Sequence, residues 1–413
     1  MNLIRSLIQN QKSENQSVNR LFSYSFWSFL GNILSRFFTF IAWIVVARLL
    51  EADEYGQVGI IRSTANTFIL FAGFGIGVTA TKYLSDHRVN NKKLSGELIG
   101  LSYLICLVTG TLSAALVFLF APLISGTILH APFLENELRW TSLLILFSAI
   151  NGAQTGIING LSEYKTGARL NLINGLIALP VIVLGAWFER VTGTVYGLIA
   201  AMFVNVVVTQ FALLKMYRKH VLRIRFRITP DILKMITNFS LPALFSNLLV
   251  NPVRWIANAL LVREVNGFFE LGIFTAVIVI QNFILLATSS LNAPFINMLS
   301  NSNKEQERTI EWLNLFLGWV IGFRIIEVFL TFSQLGGVLF GEKYLGSSFH
   351  YTWVLVLFYT SIILFKQGLA RIMIVRELMW FSFVSNLIWG ILVIGSLLYL
   401  YWLLTGKSGY CHF

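Results

Sequence analysis

Apolar residues run in blocks of about twenty or more positions, and short polar or charged stretches separate them. Each block is long enough to cross a ~30 Å hydrocarbon layer as a helix. Blocks at roughly 24–47, 57–81, 95–121, 140–160, 168–188 and 194–214 precede a basic stretch, 215–235. Blocks at roughly 236–262, 271–297, 312–334, 351–371 and 379–403 follow it. Barrel strands would alternate over about ten residues. These runs are continuous, so the expectation is an all-α polytopic membrane protein with about eleven transmembrane helices. The first apolar run is too long for the core of a cleaved signal peptide.

Composition agrees. Apolar residues make up 56% of the chain and charged ones 12%, about half the charged share of a soluble domain. Cys106 and Cys411 offer no disulfide framework, and five scattered His residues give no metal-ligand spacing. The net charge of +12 suggests nucleic acid in a soluble protein. In a membrane protein it reads as topology, because basic loops stay on the cytoplasmic side.

Sorting Lys and Arg by loop sharpens that reading. With the N-terminus inside, 21 lie on the inner side and 6 on the outer, and 4 fall within spans. The outer six are Arg48, Arg139, Arg190, Arg263, Lys343 and Lys407. A cytoplasmic N-terminus follows. The linker "KMYRKHVLRIRFRITPDILK" (215–234) is then a headgroup-facing cytoplasmic segment, not a nucleic-acid site.

The two halves repeat. Phe68-Ile69-Leu70 matches Phe283-Ile284-Leu285, and Leu84-Ser85 matches Leu299-Ser300, both at an offset of 215. Glu54-Tyr55-Gly56 resembles Glu270-Leu271-Gly272 at 216. Two six-span halves of the same orientation, related by an axis along the membrane normal, would produce this register. The expected organisation is a cytoplasmic segment (1–23), an N-lobe (24–214), the linker (215–235) and a C-lobe (236–413). The partner of the sixth span would begin near 409, so eleven spans of a twelve-helix, two-lobe pattern are expected.

Four arginines interrupt the apolar blocks: Arg36, Arg62, Arg254 and Arg324. Arg36 lies about eleven residues from either end of its span, roughly 17 Å of helix, too deep to snorkel. It needs a partner or a wet cavity. Arg62 is nearer an end and could snorkel. Arg254 follows Pro252, whose missing donor is expected to break the helix beside a cavity. Arg324 has Glu327 three residues on, the spacing of a same-face pair. Glu327 is the only carboxylate expected inside a span, which makes it the candidate for proton or sodium coupling; no other cofactor is implied. Unpaired guanidinium suits an anionic ligand and grips phosphate in a bidentate fork. Asn32, Ser35, Asn66, Thr67, Asn151, Gln154, Asn247, Asn251, Gln281 and Asn282 are expected mostly as interhelical glue. Asn32 and Asn251 are also candidates to line the cavity and bond sugar hydroxyls. "GFGIG" (73–77) reads as a close-packing segment. No enzyme signature is present.

The stretch "ARLLEADEYGQVGIIRSTANTFILFAGFGIGVTATKYLSD" (47–86) resembles the signature of Wzx-type oligosaccharide flippases. There a first span ends in an "ARLL…EYG" turn and a second in a basic-aromatic-Leu exit, here Lys82-Tyr83-Leu84. "GIINGLSEYKTGARLNLINGLIALP" (156–180) resembles the junction of their fourth and fifth spans. The family belongs to the multidrug/oligosaccharidyl-lipid/polysaccharide exporter superfamily. The resemblance implies two six-helix lobes around a central cavity. It also implies outward translocation of undecaprenyl-pyrophosphate-linked oligosaccharide for O-antigen or other surface polysaccharide synthesis. Cationic cavity residues are used by relatives, and by span position Arg36, Arg62 and Arg254 fit that role. The other expected partners are membrane lipids and a polymerase and chain-length regulator of the same pathway. Rival readings are a multidrug/cation antiporter of the superfamily, which would want carboxylates in its cavity, and a membrane-embedded polymerase or glycosyltransferase, which would want a large outer loop. "ISGTILHAPFLENELR" (124–139) is about the longest outer loop here. A non-transporting partner of the assembly machinery is a third.

Overall fold

A computed structural model describes residues 31, 33–88, 90–227, 249–289, 299, 304–331, 335–344, 346–376 and 378–405. Among these there is helix, turn and coil but no strand. Eight helical stretches are long and apolar enough to cross a membrane. The first group comprises α1 (33–49), α2 (Ala52–Gly73), α3 (Ile76–His87), α4 (Lys92–Pro122), α5 (Glu135–Gly160) and α6 (Tyr164–Lys219). The second comprises α7 (Val250–Val262), α8 (Gly267–Ser289), α9 (Lys304–Thr331), the short α10 (Leu335–Phe340), α11 (Ser347–Val375) and α12 (Met379–Thr405).

Sequence explains most boundaries. The α1–α2 turn closes on a capping box in which the Glu51 backbone N–H donates to Glu54 at 2.9 Å, and Asp53 and Glu54 face the positive helix end. Asn91 caps α4 by accepting from the Leu94 N–H at 3.0 Å. α6 is two antiparallel arms, broken where Glu189 and Arg190 leave helical geometry. That break separates the blocks expected at 168–188 and 194–214. Its second arm continues helically to Lys219, so the linker begins as coil only near residue 222. The linker then lies on α4, where the Arg225 N–H donates to Gly96 O at 3.1 Å.

One expectation changes. The block 57–81 is not one helix: Phe74 (φ 43°) and Gly75 (φ 66°) turn left-handed and divide α2 from α3. Within "GFGIG", Gly75 thus serves the turn, while Gly77 packs against Gly152 of α5. Pro252 sits in the first turn of α7, where its absent N–H would have no intrahelical partner; the break expected there falls against residues 228–248, which lie outside the description.

The repeat register has a geometric counterpart. α2 and α8 cross so closely that a Cβ on Gly56 would lie 1.9 Å from Phe268 O. A Cβ on Gly272 would lie 1.9 Å from Ala52 O. Residues 52 and 56 correspond to 268 and 272 at the offset of 216, so the contact is reciprocal, as across a two-fold axis.

One end of the molecule is sealed across the two groups. A buried cluster there joins Trp43, Leu50 and Tyr55 to Phe340, Tyr344 and Trp353. Polar bonds reinforce it. Arg48 donates to Leu339 O at 2.7 Å and to Val338 O, and Lys343 returns to the carbonyls of Arg48 (3.2 Å) and Leu50. Arg263 reaches from α7 to Ile128 O (2.6 Å) and Thr127 O (3.2 Å). Arg190 pairs with Glu54 at 2.5 Å, and Arg139 with Glu135 at 2.7 Å. Five of the six cations assigned to the outer side thus hold carbonyls or carboxylates at this end.

At the opposite end Glu163, between α5 and α6, accepts from Lys219 (2.5 Å) and His220 (3.0 Å). Burial pushes its carboxyl up, but the hydrogen bonds and charges of Lys219 and His220 outweigh that and leave it below its ordinary value. A depressed folded-state value gives stability that is present above the unfolded value of ~4.3 and is lost as pH falls through the folded one. Glu163→Gln is expected to cost about 1 kcal/mol at pH 7. The thermal midpoint should then fall less between pH 7 and pH 4 in this variant than in the wild type. An equal fall in both would remove Glu163 from the acid response.

Candidate functional site

The faces of α1 and α2 set the site. On α1, Phe40 stacks on Phe283 of α8, with centroids 4.5 Å apart. Arg36 lies one turn before Phe40, on the same side of the helix, and is exposed. Trp43, one turn beyond Phe40, lies under the Arg62 guanidinium of α2, 3.6 Å from ring centroid to carbon. The cation–π contact and half-burial replace the snorkelling geometry expected for Arg62: this arginine is held inside by an aromatic plate.

α7 brings the next cation. A polar seam locks it to α2. Trp255 donates to Thr64 Oγ1 at 2.8 Å, Asn258 to Ser63 Oγ at 3.1 Å and Asn251 to Asn66 O at 3.4 Å. Asn251 is therefore occupied as glue. Arg254, one turn on, is exposed, and its charge acts on Lys366 of α11. Lys366 donates to Asn386 Oδ1 at 2.9 Å and lies 5.9 Å from the Trp389 ring centroid. Among the described residues neither Arg36, Arg62, Arg254 nor Lys366 has an acidic partner. Loop counting had put Lys366 with the inner charges. Its place inside α11, nine residues before the helix ends, was the overlooked signal.

Arg324 is elsewhere. Gly318 and Gly322 turn toward Arg371 and Leu364 of α11, and Arg324 lies on the opposite face of α9, 77% exposed and paired with Glu327 at 3.0 Å. Its exposed neighbours Val320, Phe323 and Val328 are apolar. The structure therefore takes Arg324 out of the cationic set. Glu327, 53% exposed, is not a buried coupling carboxylate either. Among the described residues, the carboxylate that is buried inside a long apolar helix is Glu97 of α4, 4% exposed, with an Oε1 that has no partner there. Arg371, also counted with the inner charges, is 2% exposed and donates to Asn314 Oδ1 (3.0 Å) and Thr288 O (3.1 Å). It is an internal tie. Asn32 lies outside the described residues.

A cavity of about 390 Å³ opens between α3, α5 and the two arms of α6. Thr81, Asn151, Thr155, Asn159, Asn171, Asn174, Asn205 and Thr209 give it a polar wall, and no charged side chain among the described residues lines it. Asn205 Oδ1 is its node, accepting from Asn174 (2.6 Å), Thr209 (3.1 Å) and Asn151 (3.2 Å). Behind it Gln154 donates to Gln210 Oε1 and Val206 O, and Tyr103 donates to Gln210.

Comparison with known proteins follows the geometry. The sequence model of a family described as "Polysaccharide biosynthesis protein" matches residues 22–296, more than half of the chain. No similar sequence was found among curated proteins. Among solved structures the chain resembles an inward-facing conformation of a multidrug resistance MATE family transporter of the MOP superfamily. The TM-score is 0.69 at 14% identity, over 87% of this chain and 84% of that one. An outward-facing conformation of a multidrug resistance MATE family transporter of that superfamily gives 0.64 at 15%, over 89% and 83%. A MOP-superfamily transporter from Pyrococcus furiosus, described as having a binding pocket of reverse polarity, gives 0.58 at 13%, over 93% and 95%.

Proposed function

Because the chain belongs to the polysaccharide biosynthesis protein family, we propose that it is a flippase carrying a pyrophosphate-linked oligosaccharide on a polyprenyl lipid across the bacterial inner membrane. The cargo class is undecaprenyl-pyrophosphate-linked repeat units moving from the cytoplasmic to the periplasmic face. The observation that carries this reading is the set of cations without acidic partners among the described residues, Arg36, Arg62, Arg254 and Lys366, drawn from α1, α2, α7 and α11.

The physical task is severe. Burying one hydroxyl without a partner costs roughly 2–7 kcal/mol, and an oligosaccharide carries many. Guanidinium keeps its charge at membrane depth and binds phosphate oxygens in pairs. A wet cationic passage therefore substitutes for water around the headgroup while the lipid tail stays in the bilayer. A carrier of cationic drugs would want carboxylates where this chain has Arg and Lys. With the N-terminus inside, the sealed end is periplasmic. Release then requires parting the bonds of Arg48, Lys343 and Arg263, with the Gly56–Gly272 crossing as the pivot.

The test is genetic. Deleting the gene in its host is expected to trap lipid-linked oligosaccharide on the inner face and remove surface glycan, and the wild-type gene to restore both. Normal surface glycan without the gene, and without a second copy of the function, would overturn the reading.

A further inference from the structure

The amide-lined cavity of the first helical group is separate from the cations. We infer that it binds a neutral sugar of the cargo through its hydroxyl groups; this rests on the flippase reading above and adds a second subsite to it.

The wall chemistry selects the ligand. A carboxamide offers a donor and an acceptor side by side, which suits adjacent hydroxyls of a sugar ring. Among the described residues the lining carries five carboxamides and no charge, which suits a neutral group better than an anionic or cationic one. Such a wall is costly in a membrane-embedded bundle unless its groups are bonded. The internal network does not use all of them. Among the described residues Asn174 Oδ1 is buried without a partner. Thr155 is exposed to open space although it lies within α5, between neighbouring helices. At about 390 Å³ the cavity stands near the lower end of small-ligand pockets, ~300–1,000 Å³. That is room for a sugar ring, not a whole repeat unit.

Position links the cavity to the cations. α1 and Gly31 just ahead of it lie against α6. A Cβ on Gly31 would meet Ala168 at 2.7 Å, and one on Gly175 would meet Ser35 at 2.8 Å. These points bracket Asn171 and Asn174 of the cavity wall, and Arg36 follows Ser35 directly. A headgroup with its pyrophosphate on Arg36 would therefore have its sugar end beside the amides.

The full chain in lipid nanodiscs, titrated under native mass spectrometry, tests this with two probes. One is the lipid-linked oligosaccharide extracted from the host, and the other is the same polyprenyl pyrophosphate without sugar. Wild type should bind the glycosylated lipid about tenfold more tightly. Thr155→Phe, which fills the cavity without removing a bond of the Asn205 node, should bring the two lipids within twofold and leave the bare lipid unchanged. Asn205→Ala should act in the same direction. Equal binding of both lipids by the wild type would overturn the sugar subsite and leave the flippase reading intact. A Thr155→Phe protein that keeps the full preference would overturn it too. If neither lipid binds, the flippase reading falls, and the subsite with it.

Discussion

Arg36→Ala and Arg254→Ala, each well expressed and folded, should fail to restore surface glycan in a deletion strain. Each guanidinium would make charge-assisted hydrogen bonds worth about 1.5–3 kcal/mol to a pyrophosphate, so each loss weakens cargo binding by roughly 10- to 150-fold. Arg36→Lys keeps the charge but loses the planar fork and should fall between. Arg324→Ala is the internal control: its side chain is paired with Glu327 on an exposed apolar face of α9, and transport should be close to wild type. Arg371→Ala is a control of a different kind. It removes a cation that is 2% exposed and bonded to Asn314 and Thr288, so its effect should appear as reduced yield and thermal stability. Complementation measured beside protein level separates the two outcomes. Full complementation by both single alanine variants of Arg36 and Arg254 would contradict the binding role.

Gly56→Leu should be the most damaging single change in the helix packing. Even a Cβ there would sit 1.9 Å from Phe268 O, and backbone cannot rotate away as a side-chain tip can. Overpacking usually costs about 1–3 kcal/mol, occasionally more, and here it would force α2 from α8 at the crossing that joins the two halves. Gly272→Leu should behave alike, because the contact is reciprocal. Gly73→Ala, with no atom within 4 Å of the added carbon, should be tolerated. Thermal unfolding of the purified variants ranks them. A Gly56→Leu protein as stable as Gly73→Ala would show that α2 and α8 do not cross this closely.

Hydropathy made the helices legible, because lipid requires backbone bonding within each segment and an apolar run long enough for it leaves a plain trace. The repeat was legible too: Gly56 and Gly272, matched at 216 residues, meet in space. Breaks were harder to see. Glu189–Arg190 announced itself by charge between two apolar blocks, but Phe74–Gly75 lies in an apolar run where nothing in hydropathy marks a left-handed turn. Charge reading singled out Arg36 by its depth and Arg254 by the preceding Pro252, and both side chains are exposed. It grouped Lys366 and Arg371 with the inner loops, because a loop count treats any Lys or Arg near a span end as topology, whereas both lie within helix α11. Part of the expected glue is seen: Asn151 bonds Asn205, Gln154 bonds Gln210 and Gln281 bonds Thr360, whereas Thr67 bonds back to Ser63 O in its own helix. The cavity around Asn205 was not legible, since its wall is assembled from α3, α5 and both arms of α6, and no spacing within one helix encodes it. Glu97 was missed because it stands only five residues into α4, where a carboxylate ordinarily reaches water.

The most direct test of the central claim is transport itself. The purified chain is reconstituted into vesicles carrying labelled lipid-linked oligosaccharide, and the fraction that crosses to the opposite leaflet is followed with time for wild type, Arg324→Ala and the double variant Arg36→Ala/Arg254→Ala. The account predicts transfer by the first two and a rate at least tenfold lower for the third. A folded double variant that moves the lipid at the wild-type rate would contradict it.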